Sequence, residues 1–328
     1  MTVNLRPLTL REILDRSLRI YWAKFLVFAG IASLPALAYA ILSTIERILE
    51  LNQPKSSKYL LFHMTLSGLS SKAAVYFVNE FIHLLVYPAF ACVTVSAIVG
   101  RRSSLRSAIA ASRNRVKEFL TLALALTTVE ILVPALLFIA SAALIGRIVD
   151  THAGEALAAG AKLIFVLIVV MIVGFVVRMG TSLPLSFPAS VLEGVSWLES
   201  LKRSWVLSRG CRARIFLAWL LIFVVGMSLM MLVILPTGAL VFALHWKRFA
   251  WHGYPLYRLL TSLEIGTISI LIGPIFPIDI TLFYYDQRIR HEGYDIERMM
   301  ETAGLNAPVT SLSEGGPVAP AEAGEGQA

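Results

Sequence analysis

The stretch SLKRSWVLSR, residues 200–209, lies between two long apolar runs and combines basic and apolar side chains at helical spacing. This pattern predicts a basic amphipathic helix on a membrane surface. The four residues before it, Ser196 to Glu199, fit a capping box, in which the Ser and Glu side chains satisfy two free backbone N–H groups. The face predicted to be apolar carries Trp197, Leu198, Leu201 and Trp205, and the opposite face carries Glu199, Lys202 and Arg203.

Two earlier stretches of the chain repeat this pattern. Segment 104–113 matches segment 200–209 at an offset of 96 residues, and a fainter copy at 9–17 lies 95 residues before it. The offset also places Pro88 on Pro184. We therefore predict three parallel repeats, each made of a cytoplasmic amphipathic helix followed by a hairpin of two membrane spans. The predicted units cover about 8–99, 100–192 and 195–290.

The composition is that of a membrane protein. Of the 328 residues, 57% are hydrophobic and only 15% are charged, whereas soluble domains carry about a quarter charged residues. Six apolar runs exceed the roughly 18–20 residues that cross a bilayer. They cover about 25–45, 75–99, 119–145, 163–192, 215–244 and 259–285. The predicted fold is all-α, an integral membrane bundle of six transmembrane helices in residues 1–301, with a disordered tail at 302–328.

The distribution of positive charge predicts the orientation. Lys and Arg number 19 in the N-terminus, the C-terminus and the 101–117 and 193–214 loops, against 9 in the three other loops. Both termini should therefore be cytoplasmic. The net charge is +8, but the basic residues lie beside the spans, so anionic lipid headgroups are the predicted partner and nucleic acid is not. The headgroup candidates are Arg106, Arg113, Lys202, Arg203 and Arg209.

Charged residues inside the spans are candidate functional residues, because they are costly in a bilayer. Glu130 and Arg178 should lie roughly 16 Å and 21 Å from the cytoplasmic span ends at the helical rise, so we expect them to approach one another. Their pair could hold two helices together or form a substrate or proton site. Glu80 and His83 form one Glu-x-x-His, half of a metal motif, and no span holds a second, so no metal or cofactor is predicted. Asp279 lies near a span boundary and is given no special role.

Three segments of the chain resemble a known group of proteins. They are the N-terminal 5–18, the central 178–210 with Leu192-Glu193-Gly194, and the closing 284–295 with Tyr284-Tyr285-Asp286. The chain is similar to bacterial multi-span proteins that resemble the membrane domain joined to some glycerophosphodiester phosphodiesterases. The resemblance implies a six-span module of the bacterial inner membrane. It implies no catalysis, because no soluble stretch approaches the roughly 250 residues of the phosphodiesterase barrel.

No phosphate-cradling, zinc-protease or nucleophile-elbow motif occurs in the sequence. We therefore predict a non-enzymatic protein that acts as a scaffold or lipid-interacting accessory module, with a possible protein partner. The alternative is a transporter or lipid-handling pore at the proline-kinked repeat interface, with Glu130 and Arg178 facing the path. An intramembrane enzyme is a third hypothesis.

Overall fold

The computed structural model describes residues 7–51, 60–100, 115–150, 155–245 and 254–293, and every regular element within these ranges is a helix. Six stretches are long and apolar enough to cross a membrane, which confirms the predicted number among these residues. The helices are α1 Leu10–Ala23, α2 Phe25–Leu51, α3 Leu60–Ile98, α4 Val116–Thr127, a π-helix Thr128–Leu132, α5 Val133–Asp150, α6 Glu155–Ser182, α7 Ser186–Glu193, α8 Trp197–Leu207, α9 Arg212–His245, α10 Tyr254–Ile272 and α11 Ile275–Glu292.

Consecutive spans pack as hairpins. α2 lies against α3, α5 against α6, and α9 against α10, while α10 also packs on α2 and α4 on α3. This agrees with the predicted pairing of spans, but the repeat itself stays a prediction. The units differ in detail, because Pro88 lies inside the continuous α3 whereas the chain breaks between α6 and α7 at Pro184. The second predicted surface helix and the tail at 302–328 lie outside the described residues.

Two other interruptions also occur at proline. A proline has no N–H to donate to the carbonyl four residues back, which weakens the helix locally and favours a kink, a break or a change of register there. The sixth span breaks at Gly273-Pro274, and the Tyr21 hydroxyl donates to the Leu271 carbonyl at 2.7 Å beside the break. In the third span the π-helix ends directly before Pro134.

Residues 8–23, 193–214 and 283–292 lie together at one end of the bundle, which we call the basic end. Hydrogen bonds connect Leu8 to Asp286, Arg214 to Leu8, and Tyr284 to Glu193. The largest buried core lies here, where α1, α2, α3, α7, α8, α9 and α11 meet. Its largest fully buried side chains include Ile13, Phe28, Phe90, Leu185, Ile215, Phe283 and Tyr284.

Helices α1 and α8 begin at the predicted residues, and Ile13, Ser17 and Tyr21 of α1 are buried. Both capping boxes are confirmed, with Thr9 and Ser196 accepting from the backbone N–H of Glu12 and Glu199. In α8, however, the buried side chains are Ser200, Ser204 and Leu207. Small side chains let helices approach closely in a membrane protein, which explains the buried serines. An apolar side chain such as Leu198, which is 50% exposed, can face lipid rather than protein.

The fourth and fifth spans are covered least by the rest of the protein. Only 6% of the most apolar window of each is buried, against 39% in the second and sixth spans. α6 and α9 therefore present apolar side chains around most of their circumference.

Candidate functional site

A buried carboxylate joins the two ends of the described chain. The Asp286 side chain is 0% exposed, and its Oδ1 accepts from the backbone N–H of Leu8 at 2.7 Å. Its Oδ2 accepts from Arg214 and Arg290, both at 2.9 Å. The same two arginines donate to the Leu8 carbonyl at 2.7 and 2.8 Å. Asp286 thus ties the start of α1 and the start of α9 to α11.

A second network surrounds Glu193 at the end of α7. Arg203 donates to both carboxylate oxygens of Glu193 at 3.0–3.1 Å, and it pairs with Glu292 at 2.5 Å. Arg288 pairs with Glu292 at 3.0 Å, and the Tyr284 hydroxyl donates to Glu193. The three segments that carry the family resemblance therefore meet at the basic end, where their charged residues bind one another.

This network changes the expected role of Arg203. Burial alone lowers the pKa of Arg203, but the hydrogen bond to Glu193 and the charges of Glu193 and Glu292 outweigh burial, so its pKa lies above the usual value. The guanidinium is held between two carboxylates, whereas the side chains of Lys202 and Arg209 are exposed. Arg106 and Arg113 lie outside the described residues.

α4 is attached to the same end by two contacts that the sequence did not reveal. Arg115 donates to the Ser190 carbonyl at 2.8 Å and also to the Gly194 carbonyl. Glu118 accepts from the backbone N–H of Trp197 at 3.1 Å. These contacts satisfy backbone groups that the end of α7 and the start of α8 leave free.

Arg178 does not meet Glu130. The Arg178 guanidinium lies over the Trp205 ring, 4.8 Å from its centroid, and among the described residues it has no ion pair with a carboxylate. The Arg212 guanidinium lies over the same ring at 5.1 Å. The expected pair is wrong because the span depth, read from the sequence, does not tell which neighbour a helix face meets. A long arginine near a helix end also reaches toward the membrane surface.

Glu130 lies in the π-helix within the third span. The N–H of Val133 donates to the carbonyl of Thr128, five residues back. The next residue, Pro134, has no N–H, so the Glu130 carbonyl lacks its usual donor. Such π-turns occur frequently at functional sites.

The carboxyl group of Glu130 faces another carboxylate. Glu130 interacts electrostatically with Glu80 and Tyr87 of α3, and all three side chains are partly buried. His83 lies one turn from Glu80 on the same helix. Among the described residues no three His, Cys, Asp or Glu side chains come together in a way that could hold a metal ion, so we make no metal assignment for Glu80 and His83.

We expect Glu130→Gln to change the free energy of unfolding by less than about 1 kcal/mol or to stabilise the protein. Replacing half of a buried ion pair would cost about 3–5 kcal/mol. Here the substitution leaves no cation unpaired and replaces a partly buried carboxyl group with a neutral amide of similar size. Unfolding in detergent with increasing SDS, followed by circular dichroism, measures the difference. A loss of about 3 kcal/mol in Glu130→Gln that is relieved in the double variant with Arg178→Gln would instead support the predicted ion pair between these two side chains.

Two buried groups near the core were not singled out from the sequence. Asp279, expected near a boundary, is fully buried, and neither carboxylate oxygen has a hydrogen-bond partner. Ser17 lies within reach of it, but the Ser17 hydroxyl donates to the Leu14 carbonyl at 2.8 Å. Burial raises the pKa of the Cys211 thiol to about 11, so this thiol is protonated at neutral pH and packs as a small core side chain.

Comparison with known proteins identifies a family but no characterised relative. No curated protein and no solved structure matches the chain. The resemblance to the membrane domain of glycerophosphodiester phosphodiesterases therefore stays an expectation. Residues 23–276 match the family described as a domain of unknown function, DUF7847. They include the first five spans and all of α10, the first of the two helices that form the sixth span. With more than three quarters of its length matched, the chain belongs to the DUF7847 family.

Proposed function

We propose that this protein is a non-enzymatic, multi-pass module of the bacterial inner membrane that binds anionic lipid at its basic end and acts there as a scaffold. One observation carries the proposal. Exposed cations, including Arg178 and Arg209, lie at the end where α6 and α9, the two spans with the most uncovered apolar surface, meet the core. Lipid chains solvate such helices, and anionic headgroups balance the adjacent positive charge.

The proposed orientation places the basic end in the cytoplasm. Leu8 and the end of α11 lie together there, as an even number of crossings requires. The predicted cytoplasmic segments carry about twice as many Lys and Arg residues as the opposite loops, 19 against 9. The cytoplasmic leaflet is also the one that attracts juxtamembrane basic groups.

We expect phosphatidylglycerol to stabilise the detergent-purified chain more than phosphatidylcholine with the same acyl chains. A ligand that binds only the folded state contributes about 2.7 kcal/mol when it is present at a hundred times its Kd. Thermal unfolding with each lipid measures the effect, and raising the ionic strength should reduce it through screening. Equal stabilisation by both lipids would argue against the proposed function.

A second candidate function is transport, and the carboxylates in the spans favour it. Arg178 lies at the basic end, so a path through the bundle would be marked by Glu130 and Glu80 instead. Proteoliposomes carrying a proton gradient and an internal pH dye test this candidate. Gradient dissipation by the natural chain that disappears in a folded Glu130→Gln variant would favour transport over the scaffold.

A further inference from the structure

Two arginines lie over one tryptophan at the basic end, and a third arginine interacts electrostatically with one of them. The guanidinium carbons of Arg178 and Arg212 lie 4.8 and 5.1 Å from the centroid of the Trp205 ring. Arg209 and Arg178 both interact electrostatically with Arg212. Three positive charges at this separation repel one another, and the ring can offset only part of the repulsion, since a cation–π contact contributes about 0.5–2 kcal/mol.

The acidic residues at the basic end are bound elsewhere. Asp15, Glu193, Asp286 and Glu292 pair with other arginines, and Glu12 and Glu199 belong to the capping boxes. Among the described residues, no ion pair involves Arg178, Arg209 or Arg212. Arg212 is oriented by neutral acceptors, the Ser208 hydroxyl at 3.3 Å and the Trp205 carbonyl at 3.4 Å. The cluster thus keeps three uncompensated charges, which is the arrangement that binds a phosphate group.

The location of the cluster indicates which kind of molecule carries the phosphate group. Arg178 lies near the end of α6 and Arg212 is the first residue of α9, the two least covered spans. The free N–H groups at the start of α9 add positive potential. On the membrane side of the cluster, exposed apolar side chains continue along both helices, including Val173, Val177, Leu217 and Leu221.

We propose that Arg178 and Arg212, which lie over Trp205, together with Arg209 bind the phosphate of an anionic phospholipid whose acyl chains lie against α6 and α9. Arg178 and Arg209 are exposed and Arg212 is half-buried, so the guanidinium groups are open to a headgroup at the membrane surface. This inference rests on the proposed lipid-binding function and assigns it to one site. The indole of Trp205 lies at the depth where aromatic side chains contact headgroups.

A charge-matched pair of variants tests the site. The first carries Arg178→Gln, Arg209→Gln and Arg212→Gln. The second carries Arg11→Gln, Arg19→Gln and Lys202→Gln, which removes the same charge from exposed positions at the same end. Native mass spectrometry of the full chain with dioleoylphosphatidylglycerol, dioleoylphosphatidylcholine or inorganic phosphate gives the affinity for each probe.

We expect the cluster variant to bind phosphatidylglycerol on the order of 100-fold more weakly, because each surface cation contributes about a factor of five. The control variant should lose much less than this, and inorganic phosphate should bind poorly because it has no acyl chains.

Equal weakening in both variants, or in neither, would overturn the site while leaving the proposed lipid binding intact. If the natural chain itself shows no preference for phosphatidylglycerol, the proposed function fails. If inorganic phosphate binds the cluster as tightly as the lipid does, the lipid assignment is wrong.

The single variant Arg209→Gln provides the answer if the triple variant does not fold. Arg209 is exposed and has no carboxylate partner among the described residues, so its loss should leave the fold intact. Its affinity for phosphatidylglycerol should fall about fivefold, and Lys202→Gln, a single exposed change on α8, should have a smaller effect. A larger effect at Lys202 than at Arg209 would overturn the assignment.

Discussion

Asp286→Ala should destabilise the protein by about 3 kcal/mol, the low end of the range for a broken buried ion pair. The substitution leaves Arg214, Arg290 and the Leu8 N–H without their shared acceptor. The loss stays at the low end because the two arginine side chains are 25% and 38% exposed and can still reach water. SDS-induced unfolding in mixed micelles measures the change.

Asp15→Ala is the control for this prediction. Asp15 also forms an ion pair with an arginine, Arg19, but the two side chains are 61% and 69% exposed. Exposed pairs contribute about 0–1 kcal/mol, so this variant should unfold close to the natural chain. Similar losses in Asp286→Ala and Asp15→Ala would show that the buried network does not hold the bundle ends together.

Gly273→Ala should cost about 1–3 kcal/mol, the range for forcing an extra group into a packed site. A methyl group at this position would lie 2.4 Å from the Ser269 carbonyl oxygen, and that oxygen already accepts the Gly273 N–H at 2.8 Å. The clashing atom belongs to the backbone, so no side-chain rotation can relieve the contact. The break in the sixth span would have to shift.

Gly266→Ala is the matched control in the same span. Nothing lies within 4 Å of a methyl group at Gly266, inside α10. Alanine is a better helix former than glycine by about 1 kcal/mol, so this variant should be neutral or more stable. The two alanine substitutions are thus expected to have opposite signs in the same thermal or SDS unfolding assay. Equal effects would show that the break does not constrain Gly273.

Local features of the structure could be predicted well. Span number follows from hydropathy, because a bilayer core accepts only long apolar helices, and the six spans are found. The capping boxes at Thr9 and Ser196 follow from residues three positions apart. Both predictions depend on neighbours in sequence, which the sequence displays directly.

Contacts between distant segments could not be predicted. Asp286 meets Leu8 across 278 positions, and no local pattern indicates that partner. The prediction paired Arg178 with Glu130 only because the two residues lie at similar depths in their spans. In the structure the Arg178 guanidinium lies over the ring of Trp205, which belongs to another helix.

The sequence by itself determined that the chain is a helical, six-span membrane protein with basic segments at its span ends. The lengths of the apolar runs and the helical periodicity are sufficient for that conclusion, because the side chains of each segment decide whether that segment is stable in lipid or in water. Only the tertiary structure decided which cations are bound to carboxylates and which are free. Arg203 lies between Glu193 and Glu292, whereas Arg178 and Arg212 lie over one ring with Arg209 nearby, and none of these three pairs with an acid among the described residues. Charge compensation depends on distances of a few ångströms between helices, and those distances exist only once the bundle has packed.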